Sequence, residues 1–553
     1  MTPEQLAAAV LDAVQAAVEG GDLAVTTPAE VRVERPKQRE HGDYATSIAL
    51  QLAKPAGRPP REVAELLAVR LRETSGVTRV DVAGPGFLNI TLDSAAQGEL
   101  ARTVVAAGEM YWRTDSLHGQ RINVEFISAN PTGPLHLGHT RWAALGDALG
   151  RVLEAAGADV TREFYINDRG MQMDLFGASL MAAAHGQPVP ENGYHGDYVI
   201  DLAKAIAADR PELLDLPDDE QLVAFREEGY ARQLAEQKQV LDVFRTHFDV
   251  WSSERALHES GAVEHGLEKL RAQGHTFHAD GAEWLRTTDF GDDKDRVLVR
   301  SNGELTYFAS DTAYYVDKRE RGFEICIYML GADHHGYVRR LKTVAACAGD
   351  DMDHNVEVLI GQMVKVMQGG QELTLSKRAG TLVTLQEIIE MTGVDAARYS
   401  LIRSPADSPM TLDVDAVTRQ TSDNPVFYVQ YGHARIAAVL RNAVELGVER
   451  GPLEAFDPAL LSHEREGDLL GALGEFPRVV AAAAELREPH RVARYLEELA
   501  GTFHRFYDAC RVLPRGDEET TDLHRARLVL VEATRTVLAN GLGLLGVSAP
   551  DRM

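Results

Sequence analysis

Two histidines, His136 and His139, close the stretch Asn123-Val-Glu-Phe-Ile-Ser-Ala-Asn-Pro-Thr-Gly-Pro-Leu-His-Leu-Gly-His139. Here a β-rich run passes through a Pro/Gly loop into a helical pattern, so both imidazoles open a helix. Free N–H groups at a helix N-terminus favour anions, and imidazoles in that place can donate to phosphate oxygens. Gly138, without a side chain, lets a nucleotide ring lie against the backbone. A bare H-x-x-H equally suits a metal pair or two ordinary surface histidines. The context therefore has to decide.

Positioning such a pair takes a strand, a loop and a helix in that order. Residues 123–127 are β-rich, 137–156 place Trp142, Leu145, Leu149 and Val152 on one face, and 160–166 are β-rich again, with Gly157 as a helix stop. That is a βαβ unit, which implies a parallel sheet, and ligands of such sheets bind beyond the carboxyl ends of the strands. A helix over 309–321, a strand over 324–330, a helix over 337–348 and a strand over 356–366 continue the pattern. Before it, 1–114 read as a small α+β unit with an opening helix, a β-like 31–34, helices near 46–53 and 61–72, and an alternating strand over 87–92. Inside the α/β region, about 185–290 reads as a mainly helical insertion, and 212–228 carries seven acidic residues and one basic, a solvated face. From 406 to 553 helical periodicities dominate, as in an all-α bundle. The expected domains are thus 1–114, 115–405 with the insertion, and 406–553.

Ser128-Ala-Asn-Pro-Thr-Gly-Pro-Leu-His-Leu-Gly-His139 resembles the HIGH signature of class I aminoacyl-tRNA synthetases, in the extended form of the arginyl-tRNA synthetase family. The resemblance implies that Ala129, Asn130, Pro131, Thr132, Gly133, Pro134, Leu135, His136, Leu137, Gly138 and His139 bind ATP. A later lysine loop should then hold the leaving pyrophosphate. Thr374-Leu-Ser-Lys-Arg-Ala-Gly380 resembles the KMSKS loop, with Thr374 at the first lysine and Arg378 at the last serine; Ser376 and Lys377 keep its centre. His136, His139 and Lys377 are the expected catalytic groups, stabilising charge while a carboxylate attacks the α-phosphate of ATP. Mg2+ is expected to arrive with ATP. No protein cage for it, and no other metal site, is read.

A guanidinium substrate needs fixed carboxylates, because an unpaired buried cation costs several kcal/mol. Glu125 and Asp311, the latter in Tyr307-Phe-Ala-Ser-Asp311, are the candidates; a first-turn acid capping its helix is the plainer account of Asp311. The resemblance adds Ser128, Asn130 and Tyr307 to the arginine site, gives Glu125 and Asn130 to the substrate's main-chain groups, and gives Tyr307 and Asp311 to its guanidinium. Gly331-Ala-Asp-His-His-Gly336 brings His334 nearby, and Ile166-Asn-Asp-Arg-Gly-Met-Gln172 suggests a ligand contact at Gln172. In Asn424-Pro-Val-Phe-Tyr-Val-Gln-Tyr-Gly-His-Ala-Arg435, Tyr428 and Tyr431 can stack on unpaired bases and Arg435 can meet phosphate, although an aromatic helix is also ordinary core. The stretch resembles the family's anticodon-binding domain, and Asp395-Ala-Ala-Arg398 its D-A-L-R tetrad with Ala397 for leucine.

Composition narrows the class. The chain of 553 residues carries 57 Lys and Arg against 84 Asp and Glu, a net charge of -27, which excludes a histone-like coat and confines any nucleic-acid contact to local patches. Three cysteines are too few for a disulfide framework or a thiolate zinc site. That argues against the cysteinyl member of the class and for a reducing, cytoplasmic setting. Neither an export signal nor a membrane-length apolar run is read. The resemblance implies arginine, ATP and tRNA(Arg) as partners, no DNA or membrane, a monomer, and arginine activation that needs bound tRNA. A catalytically idle tRNA-binding relative is the rival, against which His136, His139, Lys377 and Asp311 speak.

Overall fold

A computed structural model describes residues 1–36, 38–373 and 383–553. The N-terminal unit opens with the helix Pro3–Glu19, capped reciprocally by Thr2 and Gln5. Its antiparallel sheet is ordered Tyr44–Thr46, Phe87–Leu92, Val77–Ala83. Leu6, Val10, Leu67, Leu88 and Ile90 close a core of its own. The strand Val77–Ala83 escaped the sequence reading because its buried positions do not alternate cleanly. The β-like 31–34 contributes one bridge, Glu34 to Ala45. Helix Ser94–Ala107 then leaves this unit for the C-terminal helices, touching them so closely that a Cβ on Gly98 would fall 2.2 Å from the Pro458 carbonyl.

The centre is a five-stranded parallel sheet ordered Val356–Gly361, Ile325–Gly331, Arg121–Glu125, Asp159–Ile166, Val250–Ser253. Arg121–Glu125 lies in its middle, flanked by the next strand in sequence on one side and by a much later one on the other. This is a topological switch point, where an open α/β sheet forms its crevice. Helix Leu137–Ala155 covers the sheet with nearly every residue buried. A Cβ on its Gly146 would sit 2.3 Å from the Phe126 ring, so only glycine allows that approach.

Two segments differ from the expected pattern. The stretch 185–290 holds the helices Asp197–Asp209, Asp218–Val243 and Ala262–Ala272, but Val250–Ser253 inside it is a strand of the central sheet. Four residues show no period, and what recruits them is Trp251 stacked on Phe164 at 4.6 Å. A small antiparallel sheet, Thr276–Ala279, Ala282–Leu285 and Arg296–Val299, follows. Past residue 406, Met410–Asp413 is likewise a strand, paired in parallel with Val364–Gln368, so the sheet-bearing part runs beyond that point. The bundle comprises Pro425–Glu445, Glu464–Gly474, Phe476–Glu485, His490–Ala509 and Asp522–Leu544. No helix among the described residues is long and apolar enough to cross a membrane.

Candidate active site

At the carboxyl end of Arg121–Glu125 the chain turns through Ile127 (φ 69°) and Ser128 (φ 44°). A left-handed β-branched residue is strained, and such strain persists only where the surroundings enforce it. The turn leads through Ala129, Asn130, Pro131, Thr132, Gly133 and Pro134 to His136, the N-cap of Leu137–Ala155. His136 Nδ1 accepts from Gly138 N–H at 3.1 Å, His139 Nδ1 accepts from His136 N–H at 3.4 Å, and the rings lie 4.1 Å apart. Burial lowers the pKa of His136. Burial and then His136 take His139 down to about 3. Both imidazoles are therefore neutral near pH 7, and accepting at Nδ1 leaves the proton on Nε2 as a donor. They can donate to phosphate as neutral groups and bring no positive charge of their own.

Ser376 and Lys377 fall in 374–382, outside the described residues. The described edge of that stretch is clipped to the histidines: Leu137 N–H donates to Val383 O at 2.7 Å and Leu385 N–H to Leu135 O at 2.8 Å. The histidine turn and residues 383–385 thus meet at one backbone pairing, His136 to Thr384.

The other side of the crevice is anionic. Glu125 Oε2 accepts from Lys318 Nζ at 2.5 Å and Glu125 Oε1 from Ser128 Oγ at 3.1 Å. Lys318 is fully buried, over the Tyr314 and Tyr328 rings at 4.5 and 4.2 Å. Asp311 lies one turn into the helix Tyr307–Glu320, whose cap is Thr306, and takes its hydrogen bond from the Tyr337 hydroxyl. Burial pushes Asp311 up to about 6; the Tyr337 hydrogen bond opposes the rise and the Glu125 carboxylate adds to it. Glu254, which no motif marks, is pushed to about 7 by burial, with Asp311 and Asp168 adding to this and Arg169 opposing it. Both carboxyls are raised by burial, Asp311 further by Glu125 and Glu254 further by Asp311, and together they form a slot that a bound cation would relieve. Tyr307 is exposed at its mouth, beside a cavity of about 440 Å³ lined by Arg169, Glu254, Arg300 and Ser310.

Three other sequence candidates have partners of their own. Asn130 turns its carbonyl to Gln237 on Asp218–Val243. His334 is exposed, its ring facing Asp333 at 3.5 Å. Gln172 accepts from Tyr194 OH at 2.5 Å, within the insertion. Among the described residues no group of three or more His, Cys, Asp or Glu could hold a metal ion.

On Pro425–Glu445 the aromatics form one patch. Tyr431 is exposed and stacks with Phe427 at 5.9 Å; Tyr428 lies 4.9 Å from His504; the Arg435 guanidinium sits 4.1 Å over Tyr507. His433 instead is buried under the chain end, paired with Pro550 O at 3.0 Å. Arg398 of the D-A-A-R tetrad is wholly buried, giving hydrogen bonds to Asp147 Oδ2 at 2.5 Å, Phe244 O at 2.9 Å and Leu545 O at 3.0 Å. Asp395 accepts from Arg245 at 2.5 Å and Gln430 at 2.9 Å. The tetrad therefore binds the histidine helix, the end of Asp218–Val243 and the bundle together.

Three family models cover the chain: "Arginyl tRNA synthetase N terminal domain" over 4–92, "tRNA synthetases class I (R), catalytic domain" over 102–422 and "DALR anticodon binding domain" over 429–553. A relative from Frankia alni described as arginine–tRNA ligase is 62% identical over 553 residues, covering 100% of both chains. The chain belongs to the arginyl-tRNA synthetase family. Another relative so described, from Kineococcus radiotolerans, is 61% identical with 100% of both chains covered. The Thermus thermophilus arginyl-tRNA synthetase structure shares the fold, with a TM-score of 0.76 at 24% identity over 100% of each chain.

Proposed function

We propose that the chain is an arginine–tRNA ligase that activates L-arginine with ATP to arginyl-adenylate and transfers it to the 3′ end of tRNA(Arg), releasing AMP and pyrophosphate. One observation carries this reading: the imidazole pair and the Asp311–Glu254 slot flank the same switch point of the parallel sheet. The slot takes the guanidinium, with Tyr307 at its mouth. Glu125 and Ser128 lie at the sheet end, on the side of the substrate's main-chain groups. Glu125 is already neutralised by Lys318, so it orients more than it attracts.

The substrate carboxylate attacks the α-phosphate in line while His136 and His139 donate through Nε2–H, a stabilisation by prearranged dipoles. Positive charge is the task of Lys377 and of Mg2+ carried with ATP. Tyr428, Tyr431 and Arg435 suit unpaired tRNA bases and backbone. We place the enzyme in the cytoplasm as a monomer.

ATP–pyrophosphate exchange with each amino acid, with and without tRNA, tests the reading. Exchange should depend on arginine alone; exchange with a different amino acid, or none under any condition, would overturn it. Lys377→Ala should slow adenylate formation far more than it weakens tRNA binding, and equal losses in both would remove Lys377 from its role.

A further inference from the structure

The acidic helical insertion, which by charge alone looks like a solvated appendage, reaches the nucleotide loop with two side chains. Gln237, on Asp218–Val243, is 1% exposed, and its Nε2 donates to both Asn130 O at 3.1 Å and Gly133 O at 2.8 Å. Tyr198, on Asp197–Asp209, donates its hydroxyl to Thr132 O at 3.1 Å. Three carbonyls of the loop that precedes His136 are thus turned toward the insertion and satisfied there. Asn130 and Gly133 are each followed by proline, so those two peptides carry no N–H on their far side. The peptide between Thr132 and Gly133 does carry one, and a planar trans peptide directs the Gly133 N–H away from the insertion.

The insertion is itself seated firmly. A Cβ on Gly229 of Asp218–Val243 would meet Leu180 at 2.3 Å, and one on Gly177 of Met171–Ala184 would meet Arg226 at 2.7 Å. Gln237 Oε1 is buried without a hydrogen-bond partner among the described residues. A buried orphan acceptor is costly, and the cost is borne at a side chain whose amide nitrogen fixes two loop carbonyls at once.

We propose that Gln237 and Tyr198 are positioning residues for ATP: they hold the loop 130–133 in the one shape that presents the Gly133 N–H and the histidine turn to the triphosphate. This rests on the reading that the loop binds ATP. Gln237→Met keeps length and apolar packing but removes the donor, and Tyr198→Phe removes only a hydroxyl. In arginine-dependent exchange by the full chain with tRNA present, KM for ATP should rise roughly tenfold in Gln237→Met, which loses two hydrogen bonds to the loop. It should rise about threefold in Tyr198→Phe. KM for arginine should stay within about twofold in both.

Gln237→Glu, of equal size but aiming a carboxylate at two carbonyl oxygens, should be worse than Gln237→Met. An unchanged ATP KM in both donor-deletion variants, an arginine KM that rises in step, or a Glu variant as mild as the Met variant would overturn the proposal. Failure of the parent chain to exchange with arginine would strike the functional reading instead.

Discussion

At the end of the crevice proposed for the nucleotide the polar groups are neutral and engaged with their own backbone, His136 with Gly138 and His139 with His136. At the end proposed for the amino acid, Asp311 and Glu254 are acids whose charged forms are opposed by burial, Asp311 also by Glu125 and Glu254 also by Asp311. The first arrangement is complete before a ligand arrives; the second becomes comfortable only when a cation enters. Prearranged donors cost little to reuse at each turnover, while uncompensated carboxylates favour a doubly hydrogen-bonding cation over neutral side chains. Sensitivity to pH and to loss of charge should therefore lie at one end only.

The strongest way to break this comparison is Asp311→Asn, which removes the negative partner and leaves a guanidinium underpaired. KM for arginine should rise about 100-fold, near the cost of breaking a buried pair. KM for ATP should hardly move, and an unchanged arginine KM would remove Asp311 from the slot. Next in size is pH. Both acids are ionised above their values of about 6 and 7 and take up protons as pH falls through them. Arginine KM should accordingly climb about tenfold between pH 8 and pH 5.5, whereas ATP KM should change far less, because burial lowers the pKa of both histidines.

The linked stability has the opposite sign. A carboxyl raised in the folded chain binds more protons there than when unfolded, so the unliganded chain loses stability as pH rises from about 4 to about 7. Melting curves with saturating arginine should cancel that loss, and a loss that persists would break the assignment. The smallest effect should come from Tyr337→Phe. Its hydroxyl restrains the rise of Asp311, so the acid limb of arginine KM should move to higher pH with a change of about threefold at neutrality; an unmoved limb would uncouple the two residues.

The histidine turn was legible because its strand, loop, cap and helix are contiguous, and Asp311 because it stands in a short motif. Glu254, Tyr337, Gln237 and Tyr198 were not, since each is a single residue of an ordinary helix carried to the crevice by tertiary packing. The strand Val250–Ser253 had too few residues for a period. The hairpin at Asp280-Gly281, both at positive φ (52° and 76°), did carry a readable signal, because Asp-Gly is the composition of a two-residue hairpin turn. Helical periodicity in the flanking insertion obscured it. For His136 and His139 the motif gave the place but not the protonation state, which depends on burial that no spacing reports.

Arg398 has one more implication. Leu545 supplies one of its acceptors, and Gly546 lies so near that a Cβ there would come within 2.4 Å of the guanidinium. The turn that follows Asp522–Leu544 is therefore a seal over an ion pair whose other member, Asp147, sits midway along the helix that His136 begins. Trimming the tail back to 544 would let water into that joint and loosen the mounting of the imidazoles from some distance, a fault that activity assays would misread as damage to the crevice itself.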